Sequence, residues 1–206
     1  MSRGVRSTQG YAENAAVLIE RYESLSFDYK HEAVLHLIPH LPCTVMDIGA
    51  GTGADAAGLA ARRHHVLAVE PTDALRRYGM AHHTSPLIEW VDDCLPDLER
   101  LAQRRHASAL IMLTAVWMHL DEQERRKAMP IVASLLAPDG TLIMTLRHGP
   151  VPAGRIMYPV SAEETLHLAE RQGLRCVLNL HAQSKLPANR AEGVAWSHVA
   201  FTADHR

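Results

Sequence analysis

The chain has 206 residues, 47% hydrophobic and 21% charged, enough to bury a full core without disulfide or metal staples. A formal net charge of −2 argues against a long nucleic-acid footprint, and three scattered cysteines (Cys43, Cys94, Cys176) with no C-x-x-C pair argue against a disulfide framework or a zinc cluster. No run reaches the ~18 apolar residues of a membrane span and no signal-type apolar stretch opens the chain, so a cytoplasmic protein of one domain (1–206), with residues 1–10 flexible, is expected.

Apolar positions Ala15, Val17, Leu18, Ile19, Tyr22 and Leu25 predict a helix over 11–25, and a second over 29–38 stops at Pro39 and Pro42. The first strand, 44–48, runs into a glycine-rich turn and a helix over 55–62. A second strand, 66–69, closes on Glu70-Pro71-Thr72-Asp73, where Thr72 or Asp73 is placed to cap a helix through Tyr78. A third, 88–91, ends in Asp92-Asp93. Residues 110–114 are a continuous apolar run suited to a strand covered on both faces, followed by a helix over 121–136. Pro138-Asp139-Gly140 reads as a turn before a fifth strand, 141–146, and Ser161-Ala162-Glu163-Glu164 as a capping box opening a helix that Gly173 ends. The tail adds strands near 175–180 and 194–202. This alternation implies an α/β fold: a Rossmann-like, doubly wound seven-stranded sheet, mostly parallel with an antiparallel C-terminal edge and helices on both faces. The ligand crevice then lies at the carboxyl ends of the strands.

The first strand breaks into Asp47-Ile48-Gly49-Ala50-Gly51-Thr52-Gly53. Glycines permit positive φ and close approach of a ligand, and the following helix offers free N–H groups. Asp47 would repel a pyrophosphate but accept from a cationic amine, which favours a sulfonium amino-acid nucleoside over a dinucleotide. Glu70 at the second strand tip suits a ribose diol, since one carboxylate accepts from two hydroxyls. Asp93 suits an exocyclic amine.

In order, the Asp47–Gly53 turn, Glu70, the Asp92-Asp93-Cys94-Leu95-Pro96 run, Ala115-Val116-Trp117-Met118-His119-Leu120 and Leu136-Ala137-Pro138-Asp139-Gly140-Thr141-Leu142 resemble the class I S-adenosylmethionine-dependent methyltransferases, over about residues 11–202. The resemblance implies S-adenosyl-L-methionine as methyl donor and S-adenosyl-L-homocysteine as product. The donor would be held by Asp47, Gly49, Ala50, Gly51, Thr52, Gly53, Glu70, Pro71, Asp93, Cys94 and Thr114, with Glu70 on the ribose, Asp93 on the adenine amine and the adjacent Cys94 N–H on a ring nitrogen. Two alternatives stay open. Gly49-x-Gly51-x-x-Ala54 also satisfies the dinucleotide pattern of an NAD(P)-dependent oxidoreductase, and a catalytically silent cofactor-binding module would keep the same fold.

Methyl transfer from a sulfonium rests mainly on positioning, and a base is needed only where the acceptor must lose a proton. His119 and His148, each beyond the end of a strand bordering the crevice, are the candidate bases. Trp117 either lines the acceptor pocket or packs beneath the sheet edge. Arg147 is placed to bind an acidic acceptor, and the helices over 11–40 are candidates for a lid bearing Tyr11 and Tyr22. Strand 4 lacks the Asp/Asn-Pro-Pro-Tyr/Phe turn used on base amines, and no metal-ligand pattern occurs. A small-molecule acceptor, with no nucleic-acid or membrane partner and no metal, is therefore expected.

Overall fold

Seven segments pair into one sheet: β1 (Thr44–Ile48), β2 (His65–Val69), β3 (Ile88–Val91), β4 (Ser108–Thr114), β5 (Leu136–His148), β6 (Leu174–Gln183) and β7 (Ala195–Ala203). The computed structural model describes residues 8–104 and 107–203, so the flexible segment expected at 1–10 falls outside the described residues as far as residue 7. Strand order is β3-β2-β1-β4-β5-β7-β6. The first five strands pair in parallel, whereas β7 runs antiparallel to both β5 and β6. The reversed strand is thus inserted one place in from the edge. β1 and β4 are neighbours although β2 and β3 lie between them in sequence, so the strand order reverses there, and the carboxyl ends at such a switch point are where a ligand crevice forms.

Around the sheet run α1 (Ala15–Glu23), α2 (Phe27–His31), α3 (Ala54–Ala61), α4 (Asp73–His82), α5 (Glu99–Arg104), α6 (Glu122–Ser134), α7 (Ala162–Glu170) and α8 (Pro187–Ala191). Alternate strand residues point to opposite faces, and two cores result. Met46, Ile48, Ile111, Leu113, Leu142 and Met144 pack with α5, α6 and α7 through Leu101, Met129, Val132 and Leu168. Val45, Val66, Leu110, Met112 and Ile143 pack on the other face with Ala56, Leu59 and Ala60 of α3 and with Val34 and Ile38. Burying strands on both faces explains their near-continuous apolar character.

Three departures from the sequence reading have local causes. The helix expected over 11–25 is confined to Ala15–Glu23, and residues 11–14 are turns that hold Tyr11 off the helix. The one expected over 29–38 is divided into α2, whose start Ser26 caps by accepting from Tyr29 N, and a 3-10 turn at Leu35–Leu37. The chain rejoins the sheet at Leu136, opposite Ser108, and Pro138-Asp139-Gly140 bulges out before Thr141 pairs with Leu110. The turn signal therefore marks a bulge within a strand, with Asp139 at φ 58°.

Candidate functional site

At the end of β1 the loop is pinned to the neighbouring strand, because Gly49 N and Ala50 N both donate to Val69 O at 2.8 and 2.9 Å. Gly49 has φ +79°, and a Cβ there would meet Val116 Cγ2 at 2.4 Å, so the turn requires glycine twice over. Gly51, at φ +58°, faces the cavity with the Tyr22 ring beyond it. Its N–H donates to Glu70 Oε2 at 2.8 Å, while Thr72 N donates to Glu70 Oε1 at 2.7 Å. Glu70 is buried, which pushes its carboxyl up against the pull of those two amides and of Arg76. Each carboxylate oxygen keeps a further lone pair for a ligand hydroxyl. Asp93, also buried, accepts from Cys94 N at 2.9 Å through Oδ1 and from Arg100 N and Leu101 N at 2.9 and 3.0 Å through Oδ2. It therefore anchors the start of α5 while lining the cavity, and the Cys94 N–H expected to read a ring nitrogen is engaged by Asp93. Burial and the neighbouring carboxylates push the Cys94 thiol up to about 11, so it is no nucleophile at neutral pH.

Asp47 differs from the sequence expectation. Strand alternation turns it toward α3, behind the loop, rather than into the cavity: its carboxylate accepts from the Ala56 amide, and Oδ2 is otherwise unpartnered. Burial, with Asp55 and Glu70 nearby, raises its carboxyl well above the usual range against the opposing pull of Lys30. Asp55, in the first turn of α3, lies 2.6 Å from Lys30 Nζ and 3.0 Å from His31 Nε2. Burial alone would raise it, but Lys30 first and then His31 hold it below the ordinary carboxylate range. Sequence reasoning missed Lys30 and His31, whose only signal was a Lys-His pair in a helix without a sheet partner.

The second group of predicted residues is built by the segment after β4. Ala115 takes left-handed φ 59°, uncommon without glycine, and its N–H donates to Thr145 Oγ1 at 2.8 Å. The 3-10 turn Trp117–His119 follows. His119 Nδ1 lies 2.8 Å from the carbonyl of Ile156, which only accepts, so Nδ1 carries the proton. Nε2 is then the acceptor of the Tyr11 hydroxyl at 2.8 Å. Burial, then the charges of Arg155 and Arg147, lower the His119 imidazole from its usual range although the Ile156 bond opposes them. Burial raises the Tyr11 phenol well above 10.

Three further candidates fall elsewhere. Trp117 is fully buried in the core shared with α6 and α7, so the packing alternative holds. His148 is parted from the cavity by alternation along β5: Arg147 turns inward, and His148 turns to the opposite face, where Nε2 meets Ser197 Oγ at 2.8 Å. Gly53 likewise faces Trp90 rather than the cavity.

One cavity of about 520 Å³ runs from the glycine loop to this second group, within the usual range for small-ligand sites. Gly49, Ala50, Gly51, Thr52, Glu70, Pro71, Asp93, Cys94 and Thr114 line one part, and Tyr11, Tyr22, His119 and Arg147 the other. Arg21, Arg155 and Asn189, not anticipated from sequence, complete that second part. Among the described residues no group of His, Cys, Asp or Glu could hold a metal ion, and no helix is long and apolar enough to cross a membrane.

Residues 45–140 match a family model described as a methyltransferase domain. No curated protein sequence matches the chain. Among solved structures it resembles a Burkholderia thailandensis 1,6-didemethyltoxoflavin-N1-methyltransferase with bound 1,6-didemethyltoxoflavin and S-adenosylhomocysteine, at 16% identity and TM-score 0.72 over 94% of this chain and 85% of that one. A TehB-like SAM-dependent methyltransferase from Corynebacterium glutamicum shares 19% identity at TM-score 0.67 over 94% and 98%. The N-methyltransferase NodS from Bradyrhizobium japonicum, in complex with S-adenosylhomocysteine, shares 18% at TM-score 0.66 over 89% and 90%.

Proposed function

We propose that the chain is a class I S-adenosylmethionine-dependent methyltransferase, which uses S-adenosyl-L-methionine to methylate a small-molecule acceptor and releases S-adenosyl-L-homocysteine. The observation that carries this reading is the single cavity joining the Gly49–Thr52 cradle and Glu70 to the Tyr11–His119 pair. We read residues 1–206 as one methyltransferase domain, with the helices over 11–40 as its lid.

The cradle suits the donor. Gly51 lines the cavity without a side chain, a Cβ there lying 3.5 Å from the Tyr22 ring, while Glu70 retains acceptor capacity at the rim and Asp93 borders the far end. It does not suit a pyrophosphate. Asp55 sits in the first turn of α3 and Asp47 accepts from Ala56 N, so carboxylates already occupy the helix end that a dinucleotide would need. A cationic amino-acid nucleoside gains from the same field, which disfavours the oxidoreductase alternative.

When bound, the donor supplies a methyl group activated by positive sulfur and open to in-line displacement. The chain's own work is positioning and proton removal. An acceptor O–H or N–H set against Tyr11 gives its proton to the phenol oxygen as the Tyr11 proton passes to His119 Nε2. Ile156 O holds the imidazole in the tautomer this relay needs. The lowered imidazole is neutral at pH 7 and ready to accept. The small-molecule class draws support from the Burkholderia neighbour, which holds 1,6-didemethyltoxoflavin.

Calorimetric titration with S-adenosyl-L-homocysteine and with NAD tests the donor assignment. Binding of the nucleoside with none of the dinucleotide is expected, and the reverse order would overturn it. Transfer of label from methyl-labelled donor into a metabolite extract separates an enzyme from a silent binding module.

A further inference from the structure

Three arginines from separate parts of the chain face the acceptor end of the cavity: Arg21 on α1, Arg147 near the end of β5, and Arg155 in the connection before α7. Among the described residues, none of the three forms an ion pair with a carboxylate. Arg21 donates to Asn189 Oδ1, Arg147 donates to Pro150 O at 2.6 Å, and Arg155 lies 4.8 Å over the Tyr11 ring. The other two ammonium or guanidinium groups lining the cavity are paired, Lys30 with Asp55 and Lys185 with Glu32. A guanidinium carries five N–H donors, so most of the hydrogen-bonding capacity of the trio is unaccounted for by the protein.

The arrangement works against the fold. Burial, then the charges of Arg21 and Arg155, lower Arg147 from its ordinary value, with Glu192 the main opposing influence. Arg147 is only 9% exposed, and a buried charge without a counter-ion is among the more expensive features a chain can keep. The missing negative charge is readily supplied by a ligand, since guanidinium forks match the geometry of carboxylate and phosphate oxygens. Beside the trio, Met157 and Trp196 offer apolar wall to the same space.

Resting on the methyl-transfer reading above, we propose that the acceptor is a small organic acid whose carboxylate or phosphate is held by Arg21, Arg147 and Arg155, with its apolar body against Met157 and Trp196. This anchoring would present the nucleophilic atom to Tyr11 while leaving the donor cradle untouched. It also makes the arginines specificity determinants.

The test uses the full chain and three probes of similar size: 4-hydroxybenzoate, its neutral amide 4-hydroxybenzamide, and phenyl phosphate, each titrated calorimetrically with and without S-adenosyl-L-homocysteine. At least one anion should bind about tenfold or more tighter than the amide, weaken with salt, and lose that advantage in Arg147→Gln and Arg155→Gln. The two anions distinguish a carboxylate from a phosphate site. Neither anion binding tighter than the amide, or the tighter anion's binding unmoved in both variants, would overturn the proposal. So would a fall in donor-product affinity in the variants without a change in acid affinity, because the trio would then serve the donor's own carboxylate. Absence of S-adenosyl-L-homocysteine binding to the unaltered chain would instead count against the methyl-transfer reading, while the titrations made without it still report on the arginines.

Discussion

Replacing Glu70 with glutamine separates a functional carboxylate from a structural one. Its two oxygens accept from Gly51 N and Thr72 N at 2.8 and 2.7 Å, and a glutamine of the same shape must turn its amide N–H₂ toward one of them. That clash would cost about 1–3 kcal/mol if the amide found no other partner, but Glu70 borders the cavity, toward which the N–H₂ can turn. Burial already pushes the Glu70 carboxyl up, so removing its charge returns a desolvation penalty of the opposite sign. The two effects offset, and folding stability in urea should change by less than about 1 kcal/mol. Donor binding has no such offset. Losing a charged acceptor for the ribose hydroxyls should weaken S-adenosyl-L-homocysteine by about 1.5–3 kcal/mol, or about 10- to 150-fold in Kd. Calorimetry and urea denaturation on one preparation read both quantities. Unchanged affinity together with a stability loss above about 2 kcal/mol would refute the reasoning and leave Glu70 as a strut for the loop.

Tyr11→Phe and His119→Ala should each lower kcat by about 10²–10⁴-fold for an acceptor that must lose a proton, with donor affinity intact, as steady-state kinetics and calorimetry would show. Lys30→Met leaves Asp55 with His31 as its remaining partner and should destabilise the fold by about 2–3 kcal/mol at pH 7 in urea, below the full range for a buried pair because that second contact stays. Since Asp55 is held below its unfolded value, its stabilisation is present above the ordinary carboxylate range and is lost as pH falls through the folded value, so the variant's stability should vary less with pH in acid than that of the unaltered chain. Gly49→Ala meets both a left-handed φ and Val116 Cγ2, and a loss of about 2 kcal/mol or more is expected by thermal denaturation; Val116→Ala in the same chain should restore the steric part only.

Much of this was legible because the signals are local. Apolar runs bounded by Gly, Pro and Asp fix the strands of a parallel sheet, and residues at strand tips then fall in the crevice whatever the details of packing. Glu70, Asp93 and the glycine loop were reached in this way. The misplacements are of a different kind. Arg147 and His148 are consecutive in one strand, so alternation allows only one of them to face the cavity, and the register of Leu146 and Ile143 with the two cores decides which. Trp117 is settled by how a 3-10 turn rolls a large ring under α6, which no pattern of spacing encodes. Lys30, His31, Arg21 and Arg155 meet the site through contacts between segments far apart in sequence, so residue type alone gave no sign of them. The short α5 went unseen because its cap is Asp93, several residues upstream of its first turn, rather than an adjacent residue.

The three buried carboxylates near the loop do not share one role. Asp55, held low by Lys30 and His31, adds stability at neutral pH and ties α2 to the first turn of α3. Asp47 and Glu70 act in the other direction: burial raises both, so the fold prefers their protonated forms, and stability is lost as pH rises from the unfolded carboxylate range through the raised folded values. A chain selected for stability alone would replace them with apolar or amide side chains. Glu70, which lines the cavity, fits the proposed donor: positive charge brought close to it would favour the ionised form that burial penalises, and Asp47, behind the loop, would feel that charge only at longer range. At the other end of the cavity the sign is inverted: among the described residues Arg21, Arg147 and Arg155 pair with no carboxylate, and the proposed acid would supply the missing charge. On this proposal the cavity would hold a cationic donor at the Glu70 end and an anionic acceptor at the arginine end, and the fold gives up stability at both.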